Sequence, residues 1–461
     1  MNTITKCLNL KSLFLSKMNI ILFIDKINFK RYLSIILFMS VGCSFIYSQS
    51  KYLIKDKEGF DFVLNVSVDE NTINGFTREN TLLDYASKLS YQLIKAASSL
   101  KHPEIIRFTG ILTNGHFKGT YDYLFSSYKI EGDITSDSIS YSLFNKDNEL
   151  YKSFKGRRAD NYVKKDYVKL AAEIIKITEE NIFDPKIIQS KKWADYRKKM
   201  LDTASKTSDD LEFQTGFFIL ARKIGFSHYY IFKNVYSADR KWEKPSLREI
   251  GQNSVVLRIT NFYEKGENIK PLLDTIRQKA YRNLIIDLRD NVGGGAESTS
   301  LIANFLTDKE FISGFFPNRN WYENYDRLPN KNDIDKFYPM DAERDTVQAS
   351  QKYGFYIRTK RNENNFKGHA YILVNKKTGS AAEGLVIGVK EYNLARVIGE
   401  KTAGGLLNAK QFKIDEDIML VVPVNDFVSY NGYRVDQKGI KPDIEIKKGK
   451  DIEQQLLEII K

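Results

Sequence analysis

The stretch Leu284-Ile285-Ile286-Asp287-Leu288-Arg289-Asp290-Asn291-Val292-Gly293-Gly294-Gly295 decides the fold. Its apolar start reads as a strand buried on both faces. It runs into charged residues and then three glycines, and a helical pattern follows at AESTSLIANFL (296–306). Working outward, the same alternation recurs. SVVLRIT (254–260) reads as a strand and ENIKPLLDTIRQKAY (267–281) as a helix. NLIIDLR (283–289) and AYILVN (370–375) are strands, SAAEGLVIGVKEY (380–392) is a helix, and ARVIGE (395–400) is a strand. Strands alternating with helices predict an α/β domain around a mostly parallel sheet. Between them, residues 310–368 are rich in Asn, Tyr and Arg with weak periodicity, which predicts a long lid-like or substrate-covering insertion.

The amino-terminal half reads differently. Residues 51–160 contain short alternating runs such as FDFVLNVSV and GTYDYLFSSYKIEG, separated by turn signals such as TNG and NKDN. They predict an antiparallel β module with one helix over 80–99. Residues 165–225 are helical. One helix stops at Phe183-Asp184-Pro185, a second surrounds Trp193 and Tyr196, and a third starts at Ser208-Asp209 with Glu212 in capping position.

The chain has 461 residues, 42% hydrophobic and 28% charged, with a net charge of +13. Part of that excess sits in the first 31 residues, and no long basic run follows, so nucleic acid is not an expected partner. Lys26, Lys30 and Arg31 precede the uncharged stretch YLSIILFMSVGCSFIYSQS, which reads as an export signal. Cleavage near Ser48 would release the body, whereas acylation of Cys43 would anchor it to a membrane. Met18 is an alternative start. Either route predicts an exported protein of the periplasm or cell envelope. Cys7 and Cys43 are the only cysteines, so the body holds no disulfide, zinc–cysteine site or cysteine nucleophile. The four histidines follow no metal-binding pattern, and neither metal nor cofactor is expected.

Three motifs carry the chemistry. The glycine run at 293–295 lets backbone N–H groups approach a ligand, and it lacks both phosphate-loop patterns. A plain tight turn is the other reading. Ser380, in Thr378-Gly379-Ser380-Ala381-Ala382-Glu383, falls at a helix amino terminus. There it forms either a capping box with Glu383 or a nucleophile beside unpaired N–H donors that could hold an oxyanion. His228, in Gly225-Phe226-Ser227-His228, lies at an element junction and is either structural or the base that a serine nucleophile needs. Lys376 and Lys377 are the other basic groups beside Ser380.

Read together, LIIDLRDNVGGG, TGSAAE, VIGEKTAGG and VDQKGIKPDIEI resemble the carboxy-terminal-processing (tail-specific) and tricorn serine peptidase family from about residue 180 onward. The resemblance implies a crotonase-like (Clp-protease-like) α/β core and a serine endopeptidase acting on polypeptides through an acyl-enzyme on Ser380. It implies an oxyanion hole from the backbone of Ala381 and of Gly293 or Gly294. One branch of the family uses a lysine after a TAG-type segment, but Gly405 stands there in this chain. The tricorn-like branch uses a Ser-His pair and a distal carboxylate, which fall on Ser227, His228 and Asp436. Asp436 replaces the usual glutamate and is expected to orient His228, assisted by Ser227. The division implied is a signal at 1–50, a β-rich module at 51–160, a helical part at 161–245 carrying His228, and the peptidase core at 246–461. The PDZ module common in the family has no room before SVVLRIT, so substrate selection is expected to rest on the β module or the insertion. The alternative is a non-catalytic member that binds hydrophobic ligands or peptides.

Overall fold

The computed structural model describes residues 49–460 apart from 57–58, 80, 83–91, 93–94, 96–99, 234–242, 264–265, 341–345, 360, 448 and 450. The expected export signal, with Cys43, and almost all of the helix expected over 80–99 lie outside the described residues.

The alternating amino-terminal runs form eight antiparallel strands: β1 (Ser50–Lys55), β2 (Phe62–Asp69), β3 (Thr72–Phe76), β4 (Ile106–Thr113), β5 (His116–Tyr123), β6 (Ser126–Ile134), β7 (Ser138–Phe144) and β8 (Leu150–Arg158). Each pairs with the next, and β1 pairs with β8 from Tyr52↔Arg158 to Lys55↔Lys155, closing a barrel. Closure removes the free edges that an open sheet would expose. Alternation drives the burial: Phe62, Leu64 and Val66 of β2 and Ile139, Tyr141 and Leu143 of β7 point inward. Stacked pairs, Phe108 with Phe117 and Tyr141 with Phe154, help fill the interior. Asn114-Gly115, both at positive φ, makes the tight β4–β5 turn that the TNG signal predicts.

Four helices follow: α1 (Tyr167–Asn181), α2 (Pro185–Gln189), α3 (Lys191–Lys206) and α4 (Asp210–Ala221). Asp166, Asp184, Ser190 and Asp209 cap them by accepting backbone N–H groups. Phe213, Phe217, Leu220 and Ile224 are all buried, on and just beyond α4.

The remainder builds on a six-stranded sheet. Its elements in chain order are β9 (Tyr230–Lys233), β10 (Ser246–Glu249), β11 (Ser254–Arg258), α5 (Lys270–Gln278), β12 (Asn283–Asp287), α6 (Ala296–Leu306), β13 (Ile312–Pro317), α7 (Arg319–Asn324), β14 (Tyr338–Met340), α8 (Thr346–Gln351), β15 (Gly354–Arg358), β16 (His369–Val374), α9 (Ala381–Glu391), β17 (Arg396–Gly399), β18 (Asn408–Lys413), β19 (Ile418–Asn425), β20 (Val428–Ser429), β21 (Ile444–Glu445) and α10 (Ile452–Ile459). The sheet order is β10-β11-β12-β16-β17-β21, parallel except for the antiparallel edge strand β10. Every residue of β12 is buried, as its apolar run requires. β9 joins β19 and β18 in a separate three-stranded sheet.

Residues 310–368 are not an open loop. β13, β14 and β15 form a sheet with β20 over a small aromatic core of Phe315, Trp321, Phe337 and Tyr356. The strands are short and their apolar residues are aromatic and scattered, so no periodic run announces them. Asp333, 1% exposed, ties the segment down through Arg327 and Lys336.

Two large hydrophobic cores result. One runs from the barrel through α1, α3 and α4 to Phe226, Tyr229 and Ile231 and on to β19. The other joins the parallel sheet to α5, α6 and α9 and includes Val435. Trp321 is fully buried against Tyr325, Phe337 and Tyr353. We expect Trp321→Ala to cost about 3–5 kcal/mol, the usual loss for a core aromatic. Denaturant unfolding checks this, and a loss below about 1 kcal/mol, typical of a surface change, would show that the insertion does not depend on that core.

Candidate active site

Ser380 sits where β16 hands over to α9, with φ +55° and ψ −126°. A non-glycine residue rarely holds that backbone, and such strain costs about 1–3 kcal/mol. Bonds on every side hold it. Ser380 N–H donates to Gly405 O (3.0 Å) and to Glu383 Oε2 (3.2 Å). Gly379 N–H donates to Asn291 O (2.9 Å), and Thr378 Oγ1 donates to Leu288 O (2.8 Å). Glu383 is fully buried and also accepts from Thr402 Oγ1 and the N–H groups of Gly404 and Gly405. The expected capping box is therefore half of a larger arrangement. The Glu383 carboxylate pins the turn to the 402–405 segment, while the Ser380 hydroxyl faces a histidine.

That histidine is His228, also at positive φ, on the short loop between α4 and β9. Its Nε2 lies 3.3 Å from Ser380 Oγ and its Nδ1 lies 2.9 Å from Ser227 Oγ. Ser227 Oγ donates to Asp436 Oδ1 at 2.5 Å, and Ser227 N–H reaches Asp436 Oδ2 at 3.4 Å. Asp436 meets His228 through a bridge: the Ser227 hydroxyl stands between them.

The direction of the chain follows from donor counting. An ionised Asp436 can only accept, so the Ser227 proton points to it. Ser227 Oγ then accepts from His228 Nδ1–H, and Nε2 is left bare, facing the Ser380 hydroxyl. Burial pushes the His228 imidazole below its ordinary value, which favours the neutral ring. Burial raises Asp436 to about 6, opposed by the Ser227 bonds and the Arg434 charge. Arg434 is itself held by Asp426 (2.8 Å), which also accepts from Tyr322 (2.6 Å).

The glycine run reaches the same point. A Cβ on Gly293, at φ +100°, would stand 2.6 Å from Ser380 Cβ and 2.9 Å from Ala381 N, so only glycine fits there. Its N–H is committed to Asn291 Oδ1 at 2.9 Å. That sets Gly293 aside as an oxyanion donor. Among the described residues the N–H groups of Gly294 and Ala381 have no hydrogen-bond partner. Asn291, fully buried, also donates to Ile259 O (3.0 Å) and was not singled out by sequence, although it lies inside the decisive stretch. Lys377 pairs with Asp290 at 3.5 Å and is mostly exposed. A Cβ on Gly405 would point at Ser227, 3.8 Å from its Cβ and 4.0 Å from its Oγ. Ser227 is therefore the neighbour that a side chain at 405 would meet first.

Residues 253–446 match the pattern of Peptidase family S41. The tail-specific protease of Haemophilus influenzae is 26% identical over 205 residues, 42% of this chain and 25% of that protein. The carboxy-terminal processing protease CtpA of Bacillus subtilis is 24% identical over 191 residues, 41% of this chain and 34% of that protein. The match thus spans a quarter to a third of these curated relatives. The crystal structure of the tricorn protease aligns over 86% of this chain and 46% of its own, at 12% identity and a TM-score of 0.43.

We expect Gly405→Lys to drive Ser227 away from His228 and to slow labelling of Ser380 by a fluorophosphonate at least about a hundredfold, the scale of general-base assistance. Gly405→Ala, which makes only ordinary contacts, should label normally. Mass spectrometry of the labelled peptide reads both, and brisk labelling of the lysine variant would contradict the placement.

Proposed function

We propose that the chain is a member of peptidase family S41 and a serine endopeptidase in which Ser380 attacks the peptide carbonyl and His228 is the base. The observation that carries this reading is the unbroken hydrogen-bond chain Ser380–His228–Ser227–Asp436. Neutral His228 takes the Ser380 proton at Nε2 as Oγ attacks. The positive charge that develops on the ring is met through Nδ1–H by Ser227, whose own proton is held by the Asp436 carboxylate. The tetrahedral oxyanion is assigned to the unpaired N–H groups of Ala381 and Gly294. His228 then gives its proton to the leaving amine, the acyl-enzyme remains on Ser380, and water enters by the same route in reverse.

Substrates are proposed to be polypeptides, on the strength of the relatives' names and of the surroundings of Ser380. Val292, between Asn291 and the glycines, is 48% exposed, and Tyr263, beside the Phe262–Gly294 bridge, is 60% exposed. Apolar side chains kept in solvent beside a nucleophile suit the side chains of an extended peptide. A crotonase-like description of the core, export to the periplasm or cell envelope, and anchorage through Cys43 if it is acylated belong to the same proposal. A role confined to binding gains nothing from this site, because every group that hydrolysis needs is connected.

Ser380→Ala should abolish peptide hydrolysis while unfolding stays within about 2 kcal/mol of the parent, the cost of a lost cap at most. An active alanine variant would remove Ser380 from the reaction. The pH dependence has a definite sign. Catalysis needs His228 neutral and Asp436 ionised, and both are the deprotonated forms. kcat/KM should therefore rise with pH through an apparent value near 6 and fall away below it. Asp436→Asn should cost up to about ten-thousand-fold at pH 8, because an amide can donate to Ser227, reverse the chain and place the histidine proton on Nε2. Asp436→Glu can only accept and should retain more activity than the amide. A fully active Asp436→Asn enzyme with the parent pH profile would exclude the carboxylate from the mechanism.

A further inference from the structure

The catalytic chain crosses from one hydrophobic core to the other. Ser380 leads into α9 and Asp436 follows Val435, and both elements belong to the core of the parallel sheet. Ser227 and His228 lie between Phe226 and Tyr229, which belong to the core shared with the barrel. The base thus rides on a different packing unit from the nucleophile and the carboxylate.

The barrel holds both ends of the segment that carries the base. At the start of α4, Asp209 accepts the N–H of Val63 from β2 at 2.9 Å, and Leu211 N–H donates to Asp61 O at 3.2 Å. Arg78, just beyond β3, pairs with the buried carboxylate of Glu212 at 3.1 Å. At the other end, Lys233 closes β9 with its side chain 5% exposed. Its ammonium lies 2.8 Å from Asp210, 3.2 Å from Asp417 and 3.6 Å from Asp61, and it stands over the Phe60 ring. The β1–β2 loop, with Phe60 and Asp61, therefore touches the beginning of α4 and the end of β9 at once. A buried cation cannot drift from its carboxylates without a large penalty.

We propose that the β-barrel is a positioning element of the active site, in which Asp61 and Arg78 hold the α4–β9 segment so that His228 meets Ser380. The reading rests on His228 being the base. It gives the barrel a part in catalysis itself, beside or instead of the recruitment expected from sequence. A displacement of His228 by about 1 Å would cost about a hundredfold in rate.

The test uses the full chain. Asp61→Asn combined with Arg78→Met loosens both grips, and each single change serves if the pair does not fold. Phe117→Leu, in the barrel interior on β5 near the β4–β5 turn, is the control for simple destabilisation. Two readouts are taken: kcat and KM on a short peptide, which recruitment does not limit, and the titration of His228 by NMR. The groups facing His228 are Ser227, Ser380 and Asp436, with Arg434 and Asp426 behind the last, and none of them is altered. The grip variants should lose kcat at least about tenfold with KM within about twofold, on the scale by which misplacement slows catalysis. Their His228 should titrate higher, towards an ordinary histidine, as the ring gains water. Phe117→Leu should lower only the melting temperature. Unchanged kcat and unchanged His228 titration in the folded grip variants would overturn the proposal, as would an equal kcat loss in Phe117→Leu. If instead the parent hydrolyses peptides and His228→Ala is equally active, the assigned base is wrong, and the NMR titration still decides whether the barrel positions residue 228.

Discussion

The Ser227 hydroxyl has one proton to donate, and the ionised carboxylate beside it can take nothing but a proton donor. That single constraint orders the site. It makes Ser227 an acceptor towards His228, fixes the ring proton on Nδ1 and leaves Nε2 free at 3.3 Å from Ser380. Bridging through a hydroxyl sets the carboxylate one hydrogen bond further from the ring. The turn is placed by its own bonds: Gln437 N–H donates to Gly404 O at 2.7 Å, and Arg434 is locked to buried Asp426.

The 402–405 segment is the common wall of this arrangement. Its backbone meets Ser380 on one side and the Asp436 turn on the other, and Glu383 binds it to the nucleophile turn. A Cβ on Gly405 would lie in ordinary contact with Ser227, which stands in front of it.

Much of this was legible in the sequence for local reasons. The buried run of β12, the serine at the start of α9 and the alternation of the barrel strands are each written within ten or so residues of chain. The pairings that complete the picture are not local. Nothing near Tyr52 announces Arg158, so the β module was readable as antiparallel but not as closed. The insertion at 310–368 hid its strands because its core is made of scattered aromatic residues rather than a periodic run. At the site, the residue types were readable and their connections were not. The motif assigns Asp436 to orient His228 with Ser227 assisting, but not the order of the links: the side chain that touches the ring at Nδ1 is Ser227. Gly293 was a donor candidate by position, and its N–H is consumed by Asn291 two residues earlier. Glu383 reads as an ordinary capping residue until its contacts with Thr402, Gly404 and Gly405 are seen.

The direction of the hydrogen-bond chain can be measured without any substrate. Histidine-selective 15N labelling of the full chain, with His228 assigned by substitution, reports which ring nitrogen carries the proton at pH 8. The account predicts a neutral ring protonated at Nδ1 in the parent chain and at Nε2 in Asp436→Asn. A parent ring protonated at Nε2, or one whose tautomer is the same in both chains, would contradict it.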